Sequence, residues 1–163
     1  MSLDREVETT QNPALGAVLL WKFSRGYSPP EGDLRSTPLP LLFLVLPVCL
    51  RADLRDLVLS TRKDSGLRKL EEKLHKIGAD RVWTLSNRVK TYRTLTTRSM
   101  GVGIATRLLR LDIAQGGIMR AREEITDQID EAVRPLLTVA ERFGAWCGEL
   151  DIHEVMSILR VPL

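Results

Sequence analysis

The residues whose types and spacing could do chemistry are concentrated in the middle of the chain. Residues 81–122 contain nine Lys and Arg side chains and one acidic side chain, Asp112. Long cationic side chains on one exposed face can bind phosphate groups, and arginines are also enriched at protein–protein interfaces. The sequence therefore leaves two partners open, nucleic acid and an acidic protein surface. The candidate nucleic-acid or partner-binding residues are Arg88, Lys90, Arg93, Arg98, Arg107, Arg110, Arg120 and Arg122.

The charges are unevenly distributed along the chain. The net charge is +3, but residues 123–163 contain three basic and nine acidic side chains. A basic middle followed by an acidic end indicates an anionic partner for the middle, or neutralisation of one face by the other. The alternative is that both blocks are ordinary solvated faces.

Motifs for catalysis or cofactor binding are incomplete. His153 and Glu154 begin an HExxH pattern, but Ser157 stands where the second zinc ligand must be. Gly101-Val102-Gly103 lacks the rest of a dinucleotide fingerprint, and GxxxxGK[ST] and GxSxG patterns are absent. Cys49 and Cys147 lie in apolar contexts typical of buried thiols. We predict no metal, no cofactor and no enzyme, with a catalytic site assembled by the fold as the remaining alternative.

The elements that must position the basic residues resemble those of a winged helix-turn-helix. Apolar periodicity predicts one helix over 82–93 and a second over 95–109, with Thr94 as a cap between them. A hairpin follows, in which Leu109, Leu111 and Ile113 alternate with polar residues and Gln115-Gly116-Gly117 forms the turn. The order helix, helix, hairpin is that of a winged helix, and it predicts a winged-helix-like segment over 82–122.

Helices are expected on both sides of that segment. Residues 1–11 are predicted to be a flexible tail, and Asn12-Pro13 to start the first helix as cap and first helical residue. An apolar helix is expected over 39–50, bent or ended near Pro47, and a third helix ends at Gly78. A long apolar stripe from Ile125 to Trp146 predicts a helix that is kinked or broken at Pro135, and Asp151 is the expected cap of a short final helix.

The predicted fold class is therefore mainly α with a small β-hairpin, and residues 12–163 form a single domain with a C-terminal helical segment over 123–163. The polar N-terminus predicts no signal peptide. The longest apolar run, 37–50, is too short for a membrane span and is interrupted by two prolines. We expect a cytoplasmic protein that does not enter a membrane.

Three stretches carry a family resemblance by their order and spacing. They are NPALGAVLLWKFSRGY with PLPLLFLVLPVCL, then VKTYRTLTTRSMGVGIATRLLRLD, then AERFGAWCGELDIHEVMSILRVPL. Together they resemble the middle component of three-component ABC systems found in bacterial conflict and anti-phage operons, of which the Lamassu defence system is a relative. The resemblance covers the chain from residue 12 onwards. It transfers no functional residue, and one departure is visible, because Arg160 stands where a glycine is expected.

The resemblance implies a function and partners. The chain would be a non-catalytic adaptor that links an SMC-like ABC ATPase, encoded beside it, to a co-encoded effector, typically a nuclease, in a DNA-sensing defence complex. Double-stranded DNA, contacted through its backbone, would be a further partner of the basic segment. The alternative is a free-standing winged-helix transcriptional regulator, which should form a symmetric dimer with sequence preference.

Overall fold

The computed structural model of the protein describes residues 11–125 and 128–162, and over residues 79–84 it describes the backbone only. These residues form a mainly helical structure with a small antiparallel sheet, which confirms the predicted class. The helices are α1 (Pro13–Tyr27), α2 (Leu39–Leu50), α3 (Ala52–Leu59), α4 (Gly66–Ile77), α5 (Ala79–Ala105), α6 (Arg134–Gly148) and α7 (Ile152–Leu159). The strands are β1 (Thr37–Pro38), β2 (Leu109–Asp112) and β3 (Gly117–Arg120), and a 3₁₀ turn spans Lys63–Ser65.

Helix α1 lies at the centre of the fold and packs against α2, α5 and α6. Its start is the predicted one, since the Asn12 side chain accepts hydrogen bonds from the backbone N–H groups of Ala14 at 2.9 Å and Leu15 at 3.3 Å. The proline at position 13 occupies the first turn, where its missing N–H leaves no partner unsatisfied. Residues 1–10 of the predicted tail lie outside the residues that the structure describes.

Helix α2 is almost entirely buried, as its continuous apolar sequence predicts. The helix spans the predicted range, continuing past Pro47 to Leu50. The buried contacts of α2 with α1, α5 and α6 outweigh the one backbone hydrogen bond that the proline removes. Among the described residues, no helix combines the length and the apolar composition that a membrane crossing requires.

Helix α5 overturns the predicted pair of helices. It runs without a break for 27 residues, so the boundary expected at Thr94 is wrong and this segment supplies no helix-turn-helix. No proline lies in this segment, and Thr91 and Thr97 donate their side-chain hydroxyls to carbonyls one turn earlier in the same helix. The helix ends at Ala105 rather than 109, and Arg107 then turns the chain with a left-handed φ of 58°.

The hairpin is confirmed, and a third strand joins it. Strand β3 pairs antiparallel with β2, placing Leu111 opposite Ile118, and on its other side with β1, which the sequence did not predict. Gly116 takes a left-handed φ of 66° in the turn. The predicted inward alternation of β2 is wrong beyond its first residue. Leu109 is buried, whereas Leu111 is 51% and Ile113 85% exposed. Strand β2 is an edge strand of the sheet, whose order is β1–β3–β2.

The C-terminal segment is helical only from Arg134. Pro135 lies in the first turn of α6 rather than inside a longer helix, so the predicted helix around Ile125 and Ile129 is wrong. Helix α7 is confirmed, and the Asp151 side chain accepts a hydrogen bond from the Glu154 N–H at 3.0 Å. Arg160, where the resemblance leads one to expect glycine, ends α7 with a left-handed φ of 52°. The backbone conformation typical of glycine is kept there without the glycine.

Candidate binding surface and arginine cleft

The cationic residues of α5 do not share one face. The helix turns its buried side, which includes Leu85, Thr96 and Ser99, towards α1 and α2. At 3.6 residues per turn, Arg93 lies about 140° around the axis from both Arg88 and Arg98. Arg88 and Arg98 line a cleft, and Lys90 and Arg93 are not among the residues that line it.

The cleft lies where α5 meets the start of α3 and the residue preceding the cap of α1. It is an open depression with a volume of about 480 Å³. Three of its side chains are arginines, and several others carry hydroxyl or amide groups. We call it the arginine cleft, and its lining residues are Gln11, Arg51, Arg88, Thr91, Tyr92, Thr94, Leu95 and Arg98.

The carboxylate of Asp53 contacts two of these arginines, Arg51 and Arg88. Arg88 donates from Nη1 and Nη2 to Oδ1 and Oδ2 of Asp53, at 3.3 and 3.0 Å, and Nε of Arg51 lies 3.7 Å from Asp53 Oδ1. Partial burial raises the pKa of Asp53, but hydrogen bonding and charge from Arg88, the Leu54 N–H and the charge of Arg51 outweigh it and hold the pKa below its ordinary value. The carboxylate is thus ionised, holds the Arg88 guanidinium by two hydrogen bonds and attracts that of Arg51.

Tyr92 adds a neutral hydroxyl to this group of charges. Burial of the side chain raises the pKa of Tyr92, and the positive charges of Arg51 and Arg88 reduce that rise without cancelling it. The phenol therefore keeps its proton at neutral pH and can donate a hydrogen bond. Asp53, Arg51 and Tyr92 were absent from the predicted site, because Asp53 and Arg88 are 35 positions apart and no pattern in the sequence links them.

The hairpin arginines differ sharply in exposure. Arg107, Arg110 and Arg122 are exposed, and the backbone carbonyl of Arg122 accepts a 2.8 Å hydrogen bond from Trp21 Nε1. The side chain of Arg120 is only 3% exposed. Its Nη1 lies 3.0 Å from Glu123 Oε2, an ion pair without the alignment of a hydrogen bond. The guanidinium of Arg120 is therefore buried within the fold and is not accessible to a partner.

The exposed cations form an outer basic set, which we define as Lys90, Arg93, Arg107, Arg110 and Arg122. In the part of the chain that the structure describes, none of the five forms an ion pair. From Lys90 to the end of α5 the helix rises about 22 Å. Exposed apolar side chains accompany the cations near the hairpin, at Ile104, Leu111 and Ile113.

The described ranges contain no candidate metal cluster and no exposed cysteine. Within residues 11–125 and 128–162, no three His, Cys, Asp or Glu side chains are grouped as a metal site. Cys49 and Cys147 are free and buried, as predicted, and burial raises the pKa of each thiol far above its ordinary value. His153 is exposed whereas Cys147 is buried in the core. A protonated, inaccessible thiol is a poor nucleophile.

Comparison with known proteins identifies one family. The model for Middle Component 3 of the ABC-three component (ABC-3C) systems matches residues 1–163, which is the whole chain. Curated proteins and solved structures give no match. The family predicted from the order of the three sequence stretches is thereby confirmed.

Proposed function

The chain belongs to the Middle Component 3 family of ABC-three component systems, and we propose that it is the non-catalytic adaptor of such a system. Its partners are then the other components, an SMC-like ABC ATPase and an effector, with a nuclease as the most fitting effector for a DNA-sensing defence complex. Such a complex would act in the cytoplasm. The observation that carries the proposal is the family match over the entire chain. It favours a component of a complex over the free-standing regulator, as does the absence of a helix break at Thr94.

The outer basic set is the proposed docking surface for the ATPase. Its cations are exposed and without ion pairs among the described residues, so they are available to an acidic partner surface. Leu111 and Ile113 are exposed on the same hairpin as Arg110. Covering such exposed apolar side chains with a partner lowers the free energy of the complex. A DNA backbone would satisfy the arginines but would leave these two side chains without an apolar partner. The mixture therefore favours protein over DNA as the main contact.

The test is co-purification of the chain with its two neighbouring gene products, followed by measurement of the mass of the complex. Lys90→Glu with Arg93→Glu should remove the ATPase from the complex, because two attractive contacts become repulsive. The matched control is Arg62→Glu with Lys63→Glu, two exposed cations outside α5 and the hairpin that undergo the same change of charge. Leu111→Ser with Ile113→Ser should also weaken the complex, and circular dichroism should show that each variant remains folded.

The outcomes separate the alternatives. If the charge variant assembles normally but loses binding to duplex DNA, and the apolar variant behaves as wild type, the outer basic set is a DNA-binding surface. If the wild-type chain purifies alone, as a dimer that shifts DNA in gels, the regulator replaces the adaptor. Arg120 and Arg88 are unsuitable for this test. Their side chains are 3% and 13% exposed, so their substitution would disturb the fold as well as the surface.

A further inference from the structure

We propose that the arginine cleft binds a dianionic phosphate group, either free or as a monoester on a small molecule. The inference does not depend on the adaptor role, because the cleft lies on a different side of α5 from Arg93. It would give the chain a ligand of its own, in addition to any protein that docks on the outer basic set.

The charges of the cleft are the first argument. Three guanidinium groups, those of Arg51, Arg88 and Arg98, line it. Asp53 is the one carboxylate that the described residues place against them, which leaves two positive charges in excess. Like charges held close together are unfavourable. A phosphate monoester carries about −1.5 to −2 charges at neutral pH, and so matches the excess.

The hydrogen-bond donors are the second argument. A guanidinium has five N–H donors, and Arg88 directs only two of them at Asp53. The same carboxylate attracts Arg51 through Nε, which leaves the two terminal nitrogens of that side chain for another acceptor. Arg98 forms no ion pair among the described side chains, and the neutral Tyr92 hydroxyl stands beside the arginines. Asp53 thus pre-orients Arg88 through two hydrogen bonds and attracts Arg51, and pre-orientation lowers the entropy lost on binding.

The shape of the cleft favours a small ligand over a DNA backbone. A volume of about 480 Å³ falls in the range typical of sites for small molecules. A backbone phosphodiester carries a single charge, which would leave part of the excess uncompensated. The cleft also contains Leu95 and the ring of Tyr92, which offer an apolar surface to the remainder of a phosphorylated molecule.

The experiment measures binding to the purified full chain by calorimetry and by thermal unfolding at constant ionic strength. The probes are adenosine monophosphate, inorganic phosphate, adenosine without phosphate, and a short duplex DNA. Adenosine monophosphate or phosphate should bind saturably and raise Tm, and adenosine should do neither. Arg98→Gln and Arg51→Gln should each weaken that binding about tenfold or more, as expected for charge-assisted hydrogen bonds. Arg93→Gln is the matched control and should bind as wild type.

Arg51 and Arg98 are exposed, so their substitution should leave the folded state intact, which a melting curve without ligand checks. Tighter binding of adenosine monophosphate than of phosphate would identify a nucleotide as the source of the group, and equal binding would identify free phosphate. Either result supports the proposal. It is overturned if neither small probe binds saturably, if Arg93→Gln weakens binding as much as Arg98→Gln, or if only duplex DNA responds to the cleft variants.

Discussion

The glycines at the contact between α1 and α6 allow a sharp test of how the core is packed. A Cβ atom on Gly144 would overlap the Phe23 carbonyl oxygen and lie 2.9 Å from the Phe23 carbonyl carbon and 3.0 Å from the Tyr27 nitrogen. These are backbone atoms, which cannot rotate aside as the end of a side chain can. We therefore expect Gly144→Ala to force the two helices apart by about 1 Å, since non-bonded carbon contacts are comfortable only near ~3.5 Å.

The size of the effect follows from two opposing contributions. Over-packing a well-filled core costs typically about 1–3 kcal/mol, and we take the upper end because the opposing atoms are backbone. Replacing glycine by alanine inside a helix returns about 1 kcal/mol. The free energy of unfolding should therefore fall by about 2 kcal/mol, and Tm by roughly 4–8 °C for a chain of this length. The displaced helices would also loosen the neighbouring ring pair of Phe23 and Phe143, whose centroids are 5.4 Å apart.

Gly101→Ala is the matched control. Gly101 lies inside α5, and a Cβ atom there would meet nothing within 4 Å. The same chemical change should then raise the free energy of unfolding by about 0.5–1 kcal/mol. Urea titrations followed by helical circular dichroism measure both variants. Equal shifts in the two, or a Gly144→Ala protein as stable as wild type, would refute the proposed backbone contact between α1 and α6.

Three further predictions concern Arg142, Asp53 and the two cysteines. Arg142→Ala should lower the free energy of unfolding by about 2 kcal/mol in a urea titration, because Arg142 Nη1 donates to three carbonyls at and after the end of α3; an unchanged urea midpoint would contradict this. The lowered pKa of Asp53 means that its carboxylate stabilises the folded state above its unfolded pKa, near ~4, and that this contribution is lost as the pH falls through the lower folded pKa. Asp53→Asn should therefore shrink the difference in free energy of unfolding between pH 6 and pH 3, and a difference as large as in wild type would disprove the assigned pKa direction. Cys49 and Cys147 should resist Ellman's reagent in the native protein and react in denaturant, and rapid native labelling of either would show that the core opens there.

Local signals in the sequence predict much of the helical framework. The caps at Asn12 and Asp151 and the stop at Gly78 are short-range chemistry, in which one side chain or one glycine satisfies backbone groups a few residues away. The apolar helix over 39–50 follows from composition alone. These features need no knowledge of the tertiary structure, and they are placed correctly.

The errors arise where long-range packing decides. Thr94 is an acceptable cap in isolation, but α5 is held straight by α1 and α2 along its buried side, so the helix continues through it. Pro135 is compatible with a kink or with a helix start, and only the contacts of α6 select the start. Strand β1 has two residues and exists only because β3 lies beside it, so no periodicity could reveal it.

The basic residues also combine a feature that the sequence predicts with one that only the tertiary structure determines. Their concentration in 81–122 is visible in the sequence, but their separation into an outer set, a cleft and the buried Arg120 is not. The cleft depends on Arg51 and Asp53, which the chain contributes from the region before α3 and the first turn of that helix. Net charge could not show that a carboxylate from another element orients the guanidinium of Arg88.

A single continuous α5 has a consequence that distinguishes it from a winged helix. In a winged helix, the cations of the second helix and of the wing share one DNA-facing surface, so their substitutions should have the same effect. Here Arg93 and Arg98 lie on one rigid helix about 140° apart, and a partner that covers one leaves the other in a separate environment. Neutralising Arg93 should then impair assembly without changing phosphate binding, and neutralising Arg98 should do the reverse. A common loss in both variants would mean that one ligand spans the two surfaces, which a rigid helix of this diameter permits only for a partner that wraps around it.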